Sequence, residues 1–133
     1  MFATPEQRDG GDRRHVHLNA FDMSCVVHQS PGLWRHPDNQ AWRYTDLDYW
    51  TALAQTLERG GFDAVFIADV LGVYDVYGGN VDAALRQATQ IPLNEPTLAI
   101  PAMAAATEHL GFGITASTGT CAAWRIAASR LPA

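Results

Sequence analysis

Lysine is absent from this 133-residue sequence: all nine basic residues are arginines, set against 14 aspartates and glutamates, for a net charge of −5. Because neutralisation of phosphates dominates the affinity for nucleic acids and anionic membranes, an acidic chain without a basic cluster argues against both partners. The sequence also lacks an apolar run of about 18 residues, the minimum for a membrane-spanning helix. Its first residues lack the apolar stretch of a secretory signal. We therefore expect a cytoplasmic protein with no nucleic-acid partner and no membrane partner.

Cysteine is scarce as well. Cys25 and Cys121 do not have the spacing of a metal site, so we expect two free thiols and no metal. Apolar residues make up 47% of the sequence, which suits one globular domain with a buried core. We predict a flexible leader over residues 1–14, a patterned domain over residues 15–117 and a divergent tail over residues 118–133.

The first half of the patterned domain predicts a strand followed by a helix. Residues 15–23 alternate in the manner of a strand, and a long connection follows over residues 24–44. Thr45 resembles the N-cap of a capping box, and apolar residues then recur at helical spacing as far as Leu57. Arg59, Gly60 and Gly61 predict the end of this helix, with a glycine in the left-handed conformation.

The second half repeats this alternation. Residues 62–68 form a short, nearly continuous apolar run, which is typical of a strand buried on both faces. A connection over residues 70–95 contains a predicted short helix at 81–90. A longer helix is predicted over residues 96–109, with Pro101 in its first turn or at a kink, and a strand over residues 112–116.

Strands that alternate with helices predict an α/β fold with a parallel sheet and right-handed crossovers. The long connections follow the strands and the short ones follow the helices, which is the layout of a (β/α)8 barrel with its reactive end at the strand C-termini. A doubly wound nucleotide-binding sheet is less favoured because no glycine-rich phosphate loop follows the first strand. A complete barrel needs about 250 residues. We therefore predict the opening β-α-β-α-β portion of a TIM-like barrel, incomplete in this sequence.

Polar residues lie at the carboxyl ends of the three predicted strands, the end that would form the mouth of the barrel. They are Asp22, Asp69, and Thr115 with Ser117. Strand capping competes with ligand contact as the role of Asp69, and an ordinary place in a strand or turn competes at Thr115. The first long connection adds His28 and His36, weak candidates for catalysis, and Trp34, a weak candidate for substrate contact.

A pair of histidines supports a different class of enzyme. His15 and His17 are two apart, so they would project from one face of a strand, as zinc ligands do in metal-dependent barrel hydrolases. The pair lies at the beginning of the predicted strand, opposite the reactive mouth. The metal-dependent hydrolase is therefore the third interpretation of the function.

Several segments, in the same order, resemble the beginning of the bacterial luciferase-like flavin monooxygenases, in the branch of the nitrilotriacetate and dibenzothiophene-sulfone monooxygenases. They are LNAFDM (18–23), HQSPGLWRHP (28–37), LDYWTALAQTLERGGFDAVFIADVLGVYDVYGG (47–79) and PAMAAATEHLGFGITAS (101–117). The resemblance implies a TIM-like barrel, reduced FMN supplied by a separate flavin reductase, molecular oxygen as co-substrate and a small organic substrate. It also implies that Asp69 and Thr115 contact FMN, and that the loop with Trp34 and His36 lies near the isoalloxazine ring or the substrate.

The resemblance ends near Ser117, and residues 118–133 depart from the pattern of the family. We interpret this tail as the result of a truncation or a change of reading frame, which sequencing of the downstream DNA would test. The first interpretation of the function is a truncated FMN-dependent monooxygenase, and the alternative is a non-catalytic remnant without productive flavin binding. An oligomer is compatible with either, and the substrate cannot be identified from these residues.

Overall fold

A computed structural model describes residues 16–26, 33–70 and 72–115. Its centre is a parallel sheet of three strands, β1 (Asn19–Met23), β2 (Ala64–Ala68) and β3 (Gly111–Ile114), in the order β1-β2-β3. The predicted α/β class and the parallel arrangement of the three strands are confirmed. The boundaries predicted at residues 14 and 118 lie outside the described residues.

Three α-helices connect the strands, α1 (Leu47–Arg59), α2 (Asp82–Gln87) and α3 (Ile100–Ala105). The connections also contain single 3-10 turns, at Leu33–Arg35, Ala41–Arg43, Tyr77–Gly79 and Pro96–Leu98. The connections that follow β1 and β2 are long, whereas those that lead into β2 and β3 are short. This is the asymmetry that the sequence predicted for a barrel.

Helix α1 lies where the apolar periodicity predicted it, but its first turn differs from the prediction. The N-cap is Asp46 rather than Thr45, and its side chain makes no capping hydrogen bond. The Arg43 guanidinium instead holds this end of the helix, with Nε 3.2 Å from Asp46 Oδ2 and Nη2 2.7 Å from Asp48 Oδ2. The helix ends as predicted, because Gly61 takes the left-handed conformation (φ +77°).

The helix predicted over residues 96–109 is wrong as a single element. A 3-10 turn, Pro96–Leu98, precedes α3, which has Pro101 in its first turn and ends at Ala105. The Glu58 carboxylate explains why the helix does not continue: its Oε1 accepts the backbone N–H groups of residues 108, 109 and 110 at 2.8, 2.5 and 3.1 Å. Those amides are therefore not available to carbonyl groups one turn earlier.

The strands and the short helix are all shorter than predicted. β1 begins at Asn19 rather than at residue 15, because the Leu18 N–H binds the Asp63 side chain at 2.8 Å. β3 begins at Gly111 and ends at Ile114. Helix α2 ends at Gln87, since Ala88 takes a left-handed conformation (φ +51°).

The core lies between the sheet and helices α1 and α3. Val65 and Ile67 of β2 are completely buried against Trp50, Ala54 and Met103. The Trp50 indole N–H donates to the Tyr44 carbonyl at 2.7 Å, so this large side chain is buried with its one polar group satisfied. Burial on this side of the sheet fixes the register of the strands, since a slip by one residue would turn the apolar set to the other face.

The opposite side of the sheet, which we call the open face, carries Phe21, Phe66 and Gly113 in one row across the three strands. The two rings stack with centroids 5.6 Å apart, and Phe21 and Phe66 remain 54% and 36% exposed. The sequence predicted that β2 would be buried on both faces. Within the described residues, Val65 and Ile67 are buried on the helix side, whereas on the open face Phe66 is exposed and only the last residue of the strand, Ala68, is buried.

Candidate functional site at the carboxyl ends of the strands

The three strands end at the same edge of the sheet, and Asp69 and Thr115 lie there on neighbouring strands. Asp69 follows the last residue of β2, and Thr115 follows the last residue of β3. The pairing continues to this edge, because the Thr115 N–H donates to the Ile67 carbonyl at 3.2 Å. Two of the residues singled out in the sequence thus follow neighbouring strands at the same edge of the sheet.

Asp69 is half-buried, and its surroundings favour the protonated form of the carboxyl group. The pKa of Asp69 is raised, first by burial and then by the negative charge of Glu95. Glu95 is held in place by its own contacts, since its carboxylate accepts from the Thr97 hydroxyl at 2.7 Å and from the Thr97 amide at 3.2 Å. A carboxyl group in this setting gains from any ligand that donates a hydrogen bond or carries positive charge.

Thr115 continues the row of Met23 and Ala68 on the side of the sheet that faces away from the helices. Side chains alternate along a strand, so Thr115 projects on the same side as Gly113 rather than with Ile114. Its hydroxyl can both donate and accept. Thr115 is half-buried, as Asp69 is, which leaves both side chains accessible at the edge of the sheet.

The second long connection folds back over the end of β1. Leu93 forms an antiparallel bridge with Cys25, and the Asn94 N–H donates to the Ser24 carbonyl at 2.9 Å. Met23, Cys25 and Ala68 are buried in a small apolar cluster with Leu93 packed against it. Met23 and Ala68 of this cluster lie in the row that Thr115 continues.

Gln90 is a candidate site residue that the sequence analysis missed. It is 2% exposed, and its Nε2 lies 3.6 Å from the Met23 sulfur, but its Oε1 is buried without a hydrogen-bond partner. Its backbone is left-handed (φ +58°), an uncommon conformation for a residue with a side chain. A buried carbonyl oxygen without a donor is costly. No motif marks this glutamine in the sequence, because only the folding of the loop over β1 places it here.

The histidines of the first long connection do not join this site within the described residues. His36 is exposed, its Nδ1 accepts the Asp38 N–H at 3.2 Å, and the same atom is 3.7 Å from the Asp38 carboxylate. His28 lies outside the described residues. Trp34 belongs to the 3-10 turn Leu33–Arg35, and its side chain is not among the described parts of the structure.

The first connection is tied to the second at helix α2. The Arg35 guanidinium donates to Gln87 Oε1 at 2.7 Å, across 52 residues of sequence. Gln87 also lines a cleft of about 380 Å³ together with Tyr77, Asn80, Asp82 and Arg86. The two long connections therefore contact each other through Arg35 and Gln87.

Asp22 occupies a different place from the one predicted for it. Its neighbours in the register are Ile67 and, beyond it, Ile114, so its side chain lies on the helix side of the sheet. There it hydrogen-bonds Tyr49 of α1, and burial together with the Asp22 charge raises the pKa of Tyr49 to about 12. Asp22 joins strand to helix rather than facing the mouth.

The other histidine pattern lies at the opposite end of the sheet. His17 is exposed, and its Nδ1 is 3.3 Å from Asp63 Oδ1, where it helps to hold the beginning of β1. His15 lies outside the described residues. Among residues 16–26, 33–70 and 72–115, no group of three or more His, Cys, Asp or Glu side chains could hold a metal ion. In the same ranges, no helix is long and apolar enough to cross a membrane.

Two curated proteins show the similarity at the level of sequence. The chain is 63% identical over 105 residues to the dimethyl-sulfide monooxygenase of Hyphomicrobium sulfonivorans, covering 79% of this chain and 22% of that protein. It is 38% identical over 111 residues to component A of the nitrilotriacetate monooxygenase of Aminobacter aminovorans, covering 81% and 24%. The chain thus spans less than a quarter of the length of these relatives.

Two solved structures show the similarity at the level of fold. The crystal structure of the long-chain alkane monooxygenase LadA superposes with a TM-score of 0.72 at 58% identity, over 76% of this chain and 23% of that one. A riboflavin lyase, RcaE, crystallised with modified FMN and riboflavin, superposes with a TM-score of 0.70 at 34% identity, over 79% and 24%. The structural neighbours are TIM barrels, which confirms the predicted partial barrel. The luciferase-like monooxygenase family model matches residues 21–130, and together these comparisons show that the chain belongs to the luciferase-like monooxygenase family.

Proposed function

We propose that this chain supplies the first part of the flavin site of a two-component monooxygenase, which uses reduced FMN and molecular oxygen to oxygenate a small organic substrate. The observation that carries the proposal is the buried carbonyl oxygen of Gln90, which has no donor; the Gln90 side chain contacts Met23, the last residue of β1, at the edge of the sheet where Asp69 and Thr115 follow β2 and β3. Membership of the family supports the same chemistry.

The residues at the mouth fit a flavin. An isoalloxazine ring is planar and apolar on its faces, with hydrogen-bonding groups along its pyrimidine edge. Met23 and Ala68 are buried with Leu93 packed against them, so the protein at this edge of the sheet is apolar. Gln90 Oε1, which has no hydrogen-bond donor, can accept from an N–H or O–H group of the ligand. The Thr115 hydroxyl can both donate and accept.

Asp69 holds or positions the ligand through its carboxyl group. Burial and the Glu95 charge raise the pKa of Asp69, so a hydrogen bond donated by a ligand relieves an unfavourable charge as well as orienting the ligand. The loop that carries Gln90 closes over β1 through the Cys25–Leu93 bridge and excludes water from this side. The described residues thus bind the flavin, orient it and exclude water from it.

Reduced FMN, when bound, would supply two of the electrons needed to reduce molecular oxygen, so that one oxygen atom would enter the substrate and the other would leave as water. The electrons would come from a separate flavin reductase as diffusible reduced FMN. The name of the Aminobacter relative, a monooxygenase component A, supports a two-component system. The relatives named above act on chemically different small molecules, so the proposal extends only to the class of substrate.

Titration of FMN with the purified chain, followed by quenching of flavin fluorescence, tests this proposal. Loss of one hydrogen bond at a desolvated site is expected to weaken FMN binding about tenfold in Gln90→Leu, and similarly in Asp69→Ala. Glu108→Ala is the control, because it removes an exposed carboxylate near the beginning of β3, at the other end of the sheet. Gln90→Leu also removes an unsatisfied buried oxygen, so its unfolding midpoint in urea should not fall.

The combination of weaker binding with undiminished stability separates a binding role of Gln90 from a structural one. Absence of FMN quenching by the folded wild-type chain would contradict the proposal and favour the non-catalytic alternative. Equal affinities for Gln90→Leu, Asp69→Ala and Glu108→Ala would show that flavin binds elsewhere.

A further inference from the structure

The side-chain amide of Gln90 contacts a sulfur atom. Its Nε2 lies 3.6 Å from the Met23 sulfur, across 67 residues of sequence, and both residues are 2% exposed. A thioether can accept a hydrogen bond but has no hydrogen to donate, so this contact suits the NH2 end of the amide and not its carbonyl end. Met23 and Gln90 thus form a buried pair of acceptor and donor.

This contact decides which end of the amide faces the sulfur. The NH2 and carbonyl ends of a glutamine amide have nearly the same shape, so packing alone hardly distinguishes two orientations that differ by a half-turn. After a half-turn, Oε1 would face another acceptor, and the NH2 group would lose its partner. A buried polar group without a partner is costly. Met23 therefore holds the NH2 end and leaves Oε1, which has no donor within the described residues, free to accept.

Backbone contacts fix the two side chains relative to each other. Just after Met23, the Ser24 carbonyl accepts the Asn94 N–H at 2.9 Å, and Cys25 forms its antiparallel bridge with Leu93. Met23 itself is the last residue of β1. The loop that carries Gln90 is therefore tied to the segment that follows Met23, so the contact between sulfur and amide does not depend on the side chains alone.

We propose that Met23 is a positioning residue, whose thioether orients the Gln90 amide so that the site offers a carbonyl oxygen to its ligand. The site then selects a ligand group that donates an N–H or O–H over a group that can only accept. A flavin carries groups of both kinds, and this contact decides which of them can lie against Gln90. The identity of the ligand rests on the proposed function, whereas the orientation of the amide is a property of the chain itself.

Nuclear magnetic resonance on the free chain, without FMN, tests the orientation. We expect a nuclear Overhauser contact between the NH2 protons of Gln90 and the methyl group of Met23, which is bonded to the sulfur. Met23→Leu keeps an apolar side chain of similar size but removes the acceptor. The NH2 protons of Gln90 should then exchange with solvent at least about threefold faster, as expected for the loss of one modest hydrogen bond. Met103→Leu is the matched control, because Met103 is completely buried in the core on the helix side, and it should leave this rate within about 1.5-fold.

The affinity for FMN gives a second readout. Met23→Leu should weaken FMN binding about two- to fourfold, because the competent orientation of the amide would be populated only about a quarter to a half of the time. In the Gln90→Leu background the same substitution should change the affinity less than about 1.5-fold, since no amide remains to be oriented. A purely structural role of Met23 would weaken binding to the same extent in both backgrounds.

The proposal is overturned if the NH2 protons of Gln90 show no Overhauser contact with the Met23 methyl group. It is also overturned if Met23→Leu weakens FMN binding equally in the wild-type and Gln90→Leu backgrounds, or no more than Met103→Leu does. In either case FMN binding by the wild-type chain, and its loss in Asp69→Ala, would still support the proposed function. Absence of FMN binding would contradict the proposed function, and the measurements on the free chain would then decide alone whether Met23 orients Gln90.

Discussion

Replacing Ile67 by alanine tests which side of the sheet holds the core. Ile67 is completely buried between the sheet and the helices. Truncation of a fully buried isoleucine to alanine costs about 2–5 kcal/mol, from lost transfer free energy and from the cavity left behind. With about 3 kcal/mol in the middle of that range, and about 4 °C lost per kcal/mol for a chain of this size, the melting temperature should fall by about 12 °C.

Two further substitutions calibrate this prediction. Ile67→Val removes one methylene group and should cost about 0.5–1.5 kcal/mol. Phe21→Ala removes a larger side chain, but one that is 54% exposed on the open face, so we expect a loss of about 1 kcal/mol, chiefly from the stacking with Phe66. Urea unfolding followed by the fluorescence of the tryptophans, of which Trp50 lies in the core, measures all three. The reasoning is refuted if Ile67→Ala costs no more than Phe21→Ala, since the helix side of the sheet would then not be the core.

Two other predictions concern pH. The three backbone N–H groups that bind Glu58 lower its pKa, first through His109, so its contribution to stability is present above the ordinary glutamate pKa and lost as the pH falls through the lowered value. Glu58→Gln should therefore reduce the urea midpoint at pH 7 but not at pH 2, and an equal loss at both would contradict this explanation. The pKa of Asp69 is raised by burial and by Glu95, so its carboxyl group favours the folded state at low pH and loses that advantage as the pH rises. Asp69→Asn should accordingly raise the urea midpoint at pH 7 relative to wild type and weaken FMN binding, and a lower midpoint would show that the ionised carboxylate stabilises the fold.

Local patterns predicted those parts of the fold that depend on local physics. The apolar spacing from Leu47 to Leu57 gave helix α1, and Gly61 ended it because a left-handed residue was required there. The helix predicted over residues 96–109 was too long, because its end depends on Glu58, about 50 residues earlier in the chain. Competition for amide groups by a distant carboxylate leaves no trace in local periodicity.

The candidate site likewise has residues whose position the sequence predicted and residues whose position only the fold determined. Asp69 and Thr115 could be placed at one edge from the sequence, because residues that directly follow parallel strands lie at the same edge of the sheet. Their roles toward FMN remain predictions. Asp22 was assigned to the mouth by the same reasoning, but the alternation of side chains turned it to Tyr49.

The sequence by itself determined the order of strands and helices, the parallel arrangement of the strands and the edge that Asp69 and Thr115 share, because hydrophobic period, glycine position and chain direction can be read from the sequence. Only the tertiary structure decided that Gln90 is buried without a donor, that Glu58 ends α3, and that Phe66 is 36% exposed on the open face. Each of these depends on contacts between segments far apart in the chain, where burial and hydrogen bonding are set by which surfaces pack together.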